Sequence, residues 1–285
     1  MKRKYLKTGI FLGAFLLCAA IVCAAVRLFP LLRAAQTVRR VLDAESMEYE
    51  IHLTLNQEQF SEKQEQFLRA VSWVLETDES SCLSWEVSGV LTKGQGFGEI
   101  FCKGLEGAVT DVHFNQDDTW VNVRMIYEAL QNNFTSAHPL LGNFLPDWKY
   151  SDYMSLEQIE DIFQIDIKGM FLPALPESSS GQSTWKYIMM LGQMEREKMA
   201  DGGQQFTMDW KDYQVAVEIG KLGIFIMGED VKGSQSIASY EAKIRACPAK
   251  EIAACTSVMT QEEIEQFMKL WVLVKGVRDQ FGKER

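Results

Sequence analysis

Thr8 to Val26 form a run of nineteen residues without a charge, preceded by Lys2, Arg3, Lys4 and Lys7. As a helix rising ~1.5 Å per residue the run spans roughly 28 Å, close to the hydrocarbon core of a bilayer. The basic flank keeps the amino end in the cytoplasm and sends the remainder across. A cleaved signal peptide has a shorter apolar stretch, about 7–15 residues, closed by a small-x-small site. The best such site here, Cys23-Ala24-Ala25, runs into Val-Arg and a continuing helical pattern. Lipidation needs a small residue before the cysteine, whereas Cys18 follows Leu16-Leu17 and Cys23 follows Ile21-Val22. The expectation is an uncleaved signal anchor: a cytoplasmic tail over 1–7, a transmembrane helix over 8–26 and one extracytoplasmic domain over 27–285. The protein then sits in the plasma membrane as a single-pass chain, amino terminus inside.

Charge follows the same division. Residues 1–42 carry eight of the 29 basic residues and none of the 39 acidic ones. A body this acidic repels nucleic-acid phosphates, which argues against a nucleic-acid partner. Its simplest role is to keep an envelope domain soluble and off the lipid surface.

Beyond Pro30, Leu31, Ala35, Val38 and Leu42 recur at helical spacing. SMEYEIHLTLNQ then changes the period to two. Met47, Tyr49, Ile51, Leu53 and Leu55 take one side, and Glu48, Glu50, His52, Thr54 and Asn56 take the other, as in a strand with one wet face. Ser61 with Gln64 reads as a capping box opening a helix through Phe67, Val71 and Val74. From Leu83 the chain turns strand-rich. Hairpins are expected around Gly94-Gln95-Gly96, Asp117-Asp118 and Lys211-Asp212, with further strands in GIFIMGED and IASYEAKIRA.

RMIYEALQNNF and SLEQIEDIF read as helices. TWKYIMMLGQMEREKM reads as one helix up to Asp201-Gly202-Gly203, carrying Met189, Met190, Met194 and Met199. Residues 139–155 form an aromatic-rich loop, either packed over a core edge or acting as a lid. PALPESSSGQST, 173–184, reads as an exposed loop. Thr260 with Glu263 boxes the start of a final helix lined by Ile264, Phe267, Trp271 and Val274. Antiparallel strands with one apolar face need helices to cover it. The fold expected is therefore α+β: a mostly antiparallel, curved, half-barrel-like sheet packed on helices behind one amino-terminal transmembrane helix.

Reaction chemistry leaves no signature. His52, His113 and His138 are scattered and form no metal-binding pair. Gly94-Gln95-Gly96-Phe97-Gly98 joins two strands and lacks the Lys-Ser/Thr of a phosphate loop. Asn115-Gln116-Asp117-Asp118 lacks the glycine and distal glutamate of a calcium loop. No nucleophile elbow or cysteine–histidine pairing stands out, so no catalytic residue, cofactor or metal is expected. Asn133-Phe134-Thr135 matches a glycosylation sequon, of consequence only in a secretory eukaryotic cell.

Four cysteines fall outside the apolar run, an even number that invites pairing in an oxidising compartment. If the first hairpin turns at Gln95, position 102 faces Ser88, and Cys82 lies ~20 Å farther along. Cys247 and Cys255 are close enough in sequence to be bridged across PAKEIAA. The reading favoured for all four is a free, buried thiol.

Three stretches carry a resemblance: LLRAAQTVRRVLDAESMEYEIHLTL, TWVNVRMIYEAL and TQEEIEQFMKLW. On these the layout from Leu31 to Val277 resembles uncharacterised, signal-anchored envelope proteins of Gram-positive bacteria. Its element order is similar to the LolA-like lipoprotein-carrier fold, in which a half-barrel of antiparallel strands curves around helices and holds acyl chains in its concavity. A chain fixed to one membrane cannot ferry lipid between two, so the resemblance implies binding in place.

The function expected is a non-enzymatic, membrane-anchored binding or interaction domain, in its sharpest form for an apolar, lipid-like ligand. Residues expected to line the cavity are Tyr49, Ile51, Leu53, Trp85, Val87, Trp120 and Trp271. The alternatives are a structural envelope module that meets protein or wall partners through its acidic surface and, third, an enzyme whose site is not legible in the sequence.

Overall fold

A computed structural model describes residues 29–281, apart from residue 116 and segments 138–144, 164–183, 200–202, 211–212, 221–222 and 231–237. The tail and anchor expected over 1–26, and all but the last residue of the loop expected over 173–184, lie outside the described residues. Among the described residues no helix is long and apolar enough to cross a membrane.

The chain is α+β, with six helices and one curved antiparallel sheet of eleven strands among the described residues. Helix α1 covers 29–42 and buries Ala35 and Val38 of the stripe read from the sequence together with Ala34 and Val41, while Leu31 and Leu42 are only partly buried against them. Strand β1 (Ser46–Leu55) and helix α2 (Glu62–Leu75) follow, the helix opened by the Ser61–Gln64 capping box. Next come β2 (Ser84–Thr92), β3 (Gln95–Cys102), β4 (Thr110–Asn115), β5 (Thr119–Asn122) and helix α3 (Val123–Ala137). A short edge strand β6 (Tyr153–Ser155) and helix α4 (Leu156–Phe163) end the first half.

The second half contains helix α5 (Thr184–Gly192), strands β7 (Glu195–Lys198), β8 (Gln204–Trp210), β9 (Tyr213–Ile219), β10 (Ile224–Asp230) and β11 (Ala238–Cys247), and helix α6 (Gln261–Phe281). The Glu263 carboxylate accepts the Thr260 amide at 2.8 Å and the Ser151 amide at 2.9 Å, which caps α6 and ties it to the segment before β6.

The strand order is β6-β5-β4-β3-β2-β1-β11-β10-β9-β8-β7. Strand β1 therefore sits at the centre, with a meander running outward on either side, and the chain crosses from one edge to the other between β6 and β7. Both edge strands are short, and β7 is a fully exposed Glu-Arg-Glu-Lys. Charged, short edges of this kind resist pairing with other chains. Here the structure corrects the sequence reading: the helix expected as far as Met199 ends at Gly192, and Glu195–Lys198 pairs with β8. The methionines consequently part company. Met189 and Met190 are exposed on α5, and Met194 packs into the core.

Antiparallel partners share a face, so the register sorts every side chain. On the inner face the row Ile51–Val87–Ile100 runs one way and Ile51–Ala242–Ile226–Val217–Phe206 the other. Helices α1 and α5 cover the second half of this face, burying Tyr187, Leu191 and Phe206 together. Helices α2 and α3 cover the far part of the first half around Leu68, Tyr127 and Leu130. Helix α6 packs Ile264 and Phe267 on Met154 of β6.

Over β1 and β11 the outer face is a charge ladder. Lys243 and His52 both reach Glu50 at 2.7 Å, and Lys250 reaches Glu48 at 2.7 Å. Between β11 and α6 the chain runs as an extended strap over this face. It is pinned by the Lys250 amide on the Ser46 hydroxyl, Gln95 Nε2 on the Ile252 carbonyl and the Tyr153 amide on the Ser257 carbonyl.

Candidate functional site: an apolar trough on the inner face

Period-two alternation in β1 aims Tyr49, Ile51 and Leu53 at the inner face. The register places Trp85 beside Leu53, Val87 beside Ile51, and Ile100 next in that row. Among the described residues, none of the three buried clusters includes Tyr49, Ile51, Leu53, Val87 or Ile100. Each of the five is half-buried. Among the described residues the helices pack on the two wings of the sheet, and this half-buried apolar strip, called the trough below, runs over its central strands.

Of the seven residues expected from the sequence, Tyr49, Ile51, Leu53, Trp85 and Val87 are thus brought to one face. Trp85 stands at the trough's end, its indole N–H donating to the Cys82 carbonyl at 2.6 Å. Trp271 of α6 packs at the first-half wing among the α2–α3 residues, away from the central row. Trp120 requires a correction. It pairs with His113 and Ser155, in a row that continues to Phe97 and Val90 on the outer face, so it points away from the trough. The error lies in parity: a strand position one residue off faces the other way. Missed altogether were Ile100 and two glycines, Gly89 and Gly98, whose place in the inner-face alternation was the available signal.

Those glycines shape the trough floor. The Tyr49 side chain lies across them, its hydroxyl donating to the Phe97 carbonyl at 3.1 Å. A Cβ on Gly98 would stand 2.2 Å from that hydroxyl. Phe114 lies over Gly96 in the same manner, and Tyr240 over Gly228. Burial pushes the Tyr49 phenol above its ordinary range, so it stays a proton donor at any ordinary pH.

The row through Tyr49 continues across β11, β10 and β9 as Ile244, Ile224 and Ile219. It ends in a groove of ≈ 730 Å³ beneath the first turn of α1. Phe29, Pro30, Ala34 and the two isoleucines Ile219 and Ile224 give it apolar walls; Arg33, Lys243, Arg245 and the acidic Glu218 also line it, with Lys243 already paired to Glu50.

On the outer face, Tyr153 donates to Asp111 at 2.6 Å, and Asn122 donates to the other oxygen at 2.8 Å. Burial, and after it the nearby Asp111 charge, pushes the Cys255 thiol pKa up. A thiol held protonated in this way is a poor nucleophile. No group of three or more ligating side chains that could hold a metal occurs among the described residues.

All four described cysteines are free. Cys247 is level with Ser46 at the end of β11, and Cys255 lies beside Asp111 of β4, across four strand spacings of ~4.8 Å. That exceeds the reach of a disulfide, so PAKEIAA does not bridge them. Cys82 and Cys102 reverse the sequence argument. The register sets Cys102 opposite Trp85 and not Ser88, and a 3-10 turn at Ser81–Leu83 folds Cys82 back onto it. Cys102 Sγ lies 3.6 Å from the carbonyl of Ser81, the residue next to Cys82, and both cysteines belong to one buried cluster.

Comparison with known proteins returned no matching family model, curated protein or solved structure.

Proposed function

We propose that this chain is a membrane-anchored extracytoplasmic binding domain whose inner face receives an apolar, lipid-like ligand. One observation carries the reading: a row of half-buried aliphatic side chains, Ile51, Val87 and Ile100, lies between the helix-covered wings of the sheet. Leaving such side chains half in water forgoes ~25 cal/mol for every Å² of apolar surface exposed, and an acyl chain laid along them recovers that energy. The groove beneath α1 supports the same reading. Its apolar walls suit a tail, and Arg33 among its lining residues suits an anionic headgroup. Only Arg27 and Leu28 separate residues 29–30 from the apolar run, which would hold the groove at the bilayer surface. On this reading the sheet serves as an open half-barrel.

The test uses full-length protein extracted in detergent, native mass spectrometry, and a photoactivatable fatty acid followed by peptide mapping. The expected result is co-purifying lipid and label on residues of β1–β3 facing inward. Ile51→Trp and Val87→Trp fill the trough and should reduce labelling several-fold, whereas Trp120→Ala on the outer face should not. Absence of lipid, or equal labelling of all three variants, removes the apolar-ligand reading in favour of a domain that meets protein or wall partners through its acidic surface.

A further inference from the structure

Cys82 is fully buried and Cys102 nearly so, and they come from separate pieces of chain. The local geometry is over-determined. Asp78 accepts the Ser81 amide at 2.8 Å and the Ser81 hydroxyl at 2.9 Å, and also bonds the Ser80 hydroxyl, which winds the turn that carries Cys82. The Trp85 indole holds the Cys82 carbonyl, and Cys102 Sγ sits 3.6 Å from the Ser81 carbonyl. Leu83, Leu105 and Val109 pack against the cluster that contains both thiols.

We infer that Cys82 and Cys102 are a disulfide site, closed during folding by exchange with a small-molecule or protein disulfide. One thiolate attacks the S–S bond of the oxidant and expels a thiolate, leaving a mixed disulfide on the chain. The second cysteine attacks that linkage, forms the Cys82–Cys102 bond and expels the other half. Two electrons pass to the oxidant, and the two cysteine protons go to solvent or to the released thiolates. The bond staples the turn before β2 to the end of β3, at the foot of the trough.

Timing follows from burial. In the reduced folded domain, desolvation, and next the neighbouring Cys102, push the Cys82 thiol up to about 12. Little thiolate exists there at neutral pH, and no oxidant reaches it, so bridging belongs to the folding chain. For its oxidant in the cell, this inference rests on the extracytoplasmic placement proposed above.

The test is refolding of the full chain from denaturant in a glutathione redox buffer, followed by trypsin digestion without reductant. Cleavage after Arg69, Lys93 and Lys103 separates the two cysteines. The expected product is peptide 70–93 linked to peptide 94–103, with the loss of two hydrogen masses. Glutathione adducts on either cysteine, or links to Cys247 or Cys255 instead, overturn the pairing. Once folded in the reduced state, the pair should react with oxidised glutathione at least about tenfold more slowly than in denaturant. Equal rates overturn the burial argument. Acid-trapped protein taken from cells should carry the same linked peptides. Free thiols there, with the link forming on refolding, defeat the extracytoplasmic placement and not the pairing.

Discussion

Replacing Gly98 with alanine probes the trough floor directly. The new methyl would stand 2.2 Å from the Tyr49 hydroxyl oxygen and 3.3 Å from the adjoining ring carbon. To reach ordinary contact the hydroxyl must retreat by ~1 Å, which breaks its 3.1 Å bond to the Phe97 carbonyl. The lost bond costs about 1 kcal/mol and the overpacking about 1–3 kcal/mol, against a gain of ~0.5–1 kcal/mol from removing a strand glycine. Gly98→Ala alone should therefore lose roughly 1.5–3 kcal/mol. Tyr49→Phe removes only the offending oxygen and should cost about 1 kcal/mol. In that background Gly98→Ala faces a ring carbon at 3.3 Å and becomes nearly neutral. The pair should show a coupling of at least ~1 kcal/mol in a double-mutant cycle read from urea midpoints at constant slope. If Gly98→Ala costs the same with and without the Tyr49 hydroxyl, the glycine is not there to admit it and the account of the floor fails.

Two further outcomes concern the frame around the trough. Phe206 is fully buried under α1 and α5, so Phe206→Ala should cost about 3–5 kcal/mol in chemical denaturation, and a loss below ~1 kcal/mol would deny that these helices cover the second half of the sheet. Glu263 has its pKa lowered by hydrogen bonds from Thr260 and Ser151, so its contribution is complete above the ordinary carboxylate value of 4.5 and is lost as pH falls through the lower folded value. Glu263→Gln should cost about 1 kcal/mol at neutral pH and should remove that part of the acid-side loss of stability. A variant whose stability falls with acid as steeply as the parent's would refute the cap.

What the trough needs from β1 was legible because it is local. A period of two fixes which residues share a side without reference to any partner, so Tyr49, Ile51 and Leu53 could be grouped from sequence alone. Trp85 and Val87 share the alternation of β2, an equally local pattern, although their pairing with β1 is made across helix α2. Trp120 failed because its parity had to be carried through the three connections from β2 to β5. Gly98 was overlooked because glycine in a strand carries no hydropathy signal, and its purpose lies in the tyrosine above it; Ile100, two residues on, shares its face and was legible from the alternation of β3.

The sequence by itself determined the capping boxes at Ser61 and Thr260, the alternation of β1, the existence of the β2–β3, β4–β5 and β8–β9 hairpins and the helical period of α1. Each of these depends on interactions within a few residues along the chain. Only the tertiary structure decided that β1 lies at the centre of the sheet beside β11, that Glu195–Lys198 pairs as an edge strand instead of prolonging a helix, that Trp120 faces outward and that Cys82 meets Cys102. Those outcomes depend on which distant segments pair and in what register, and residues far apart in sequence become neighbours only when the sheet closes around them.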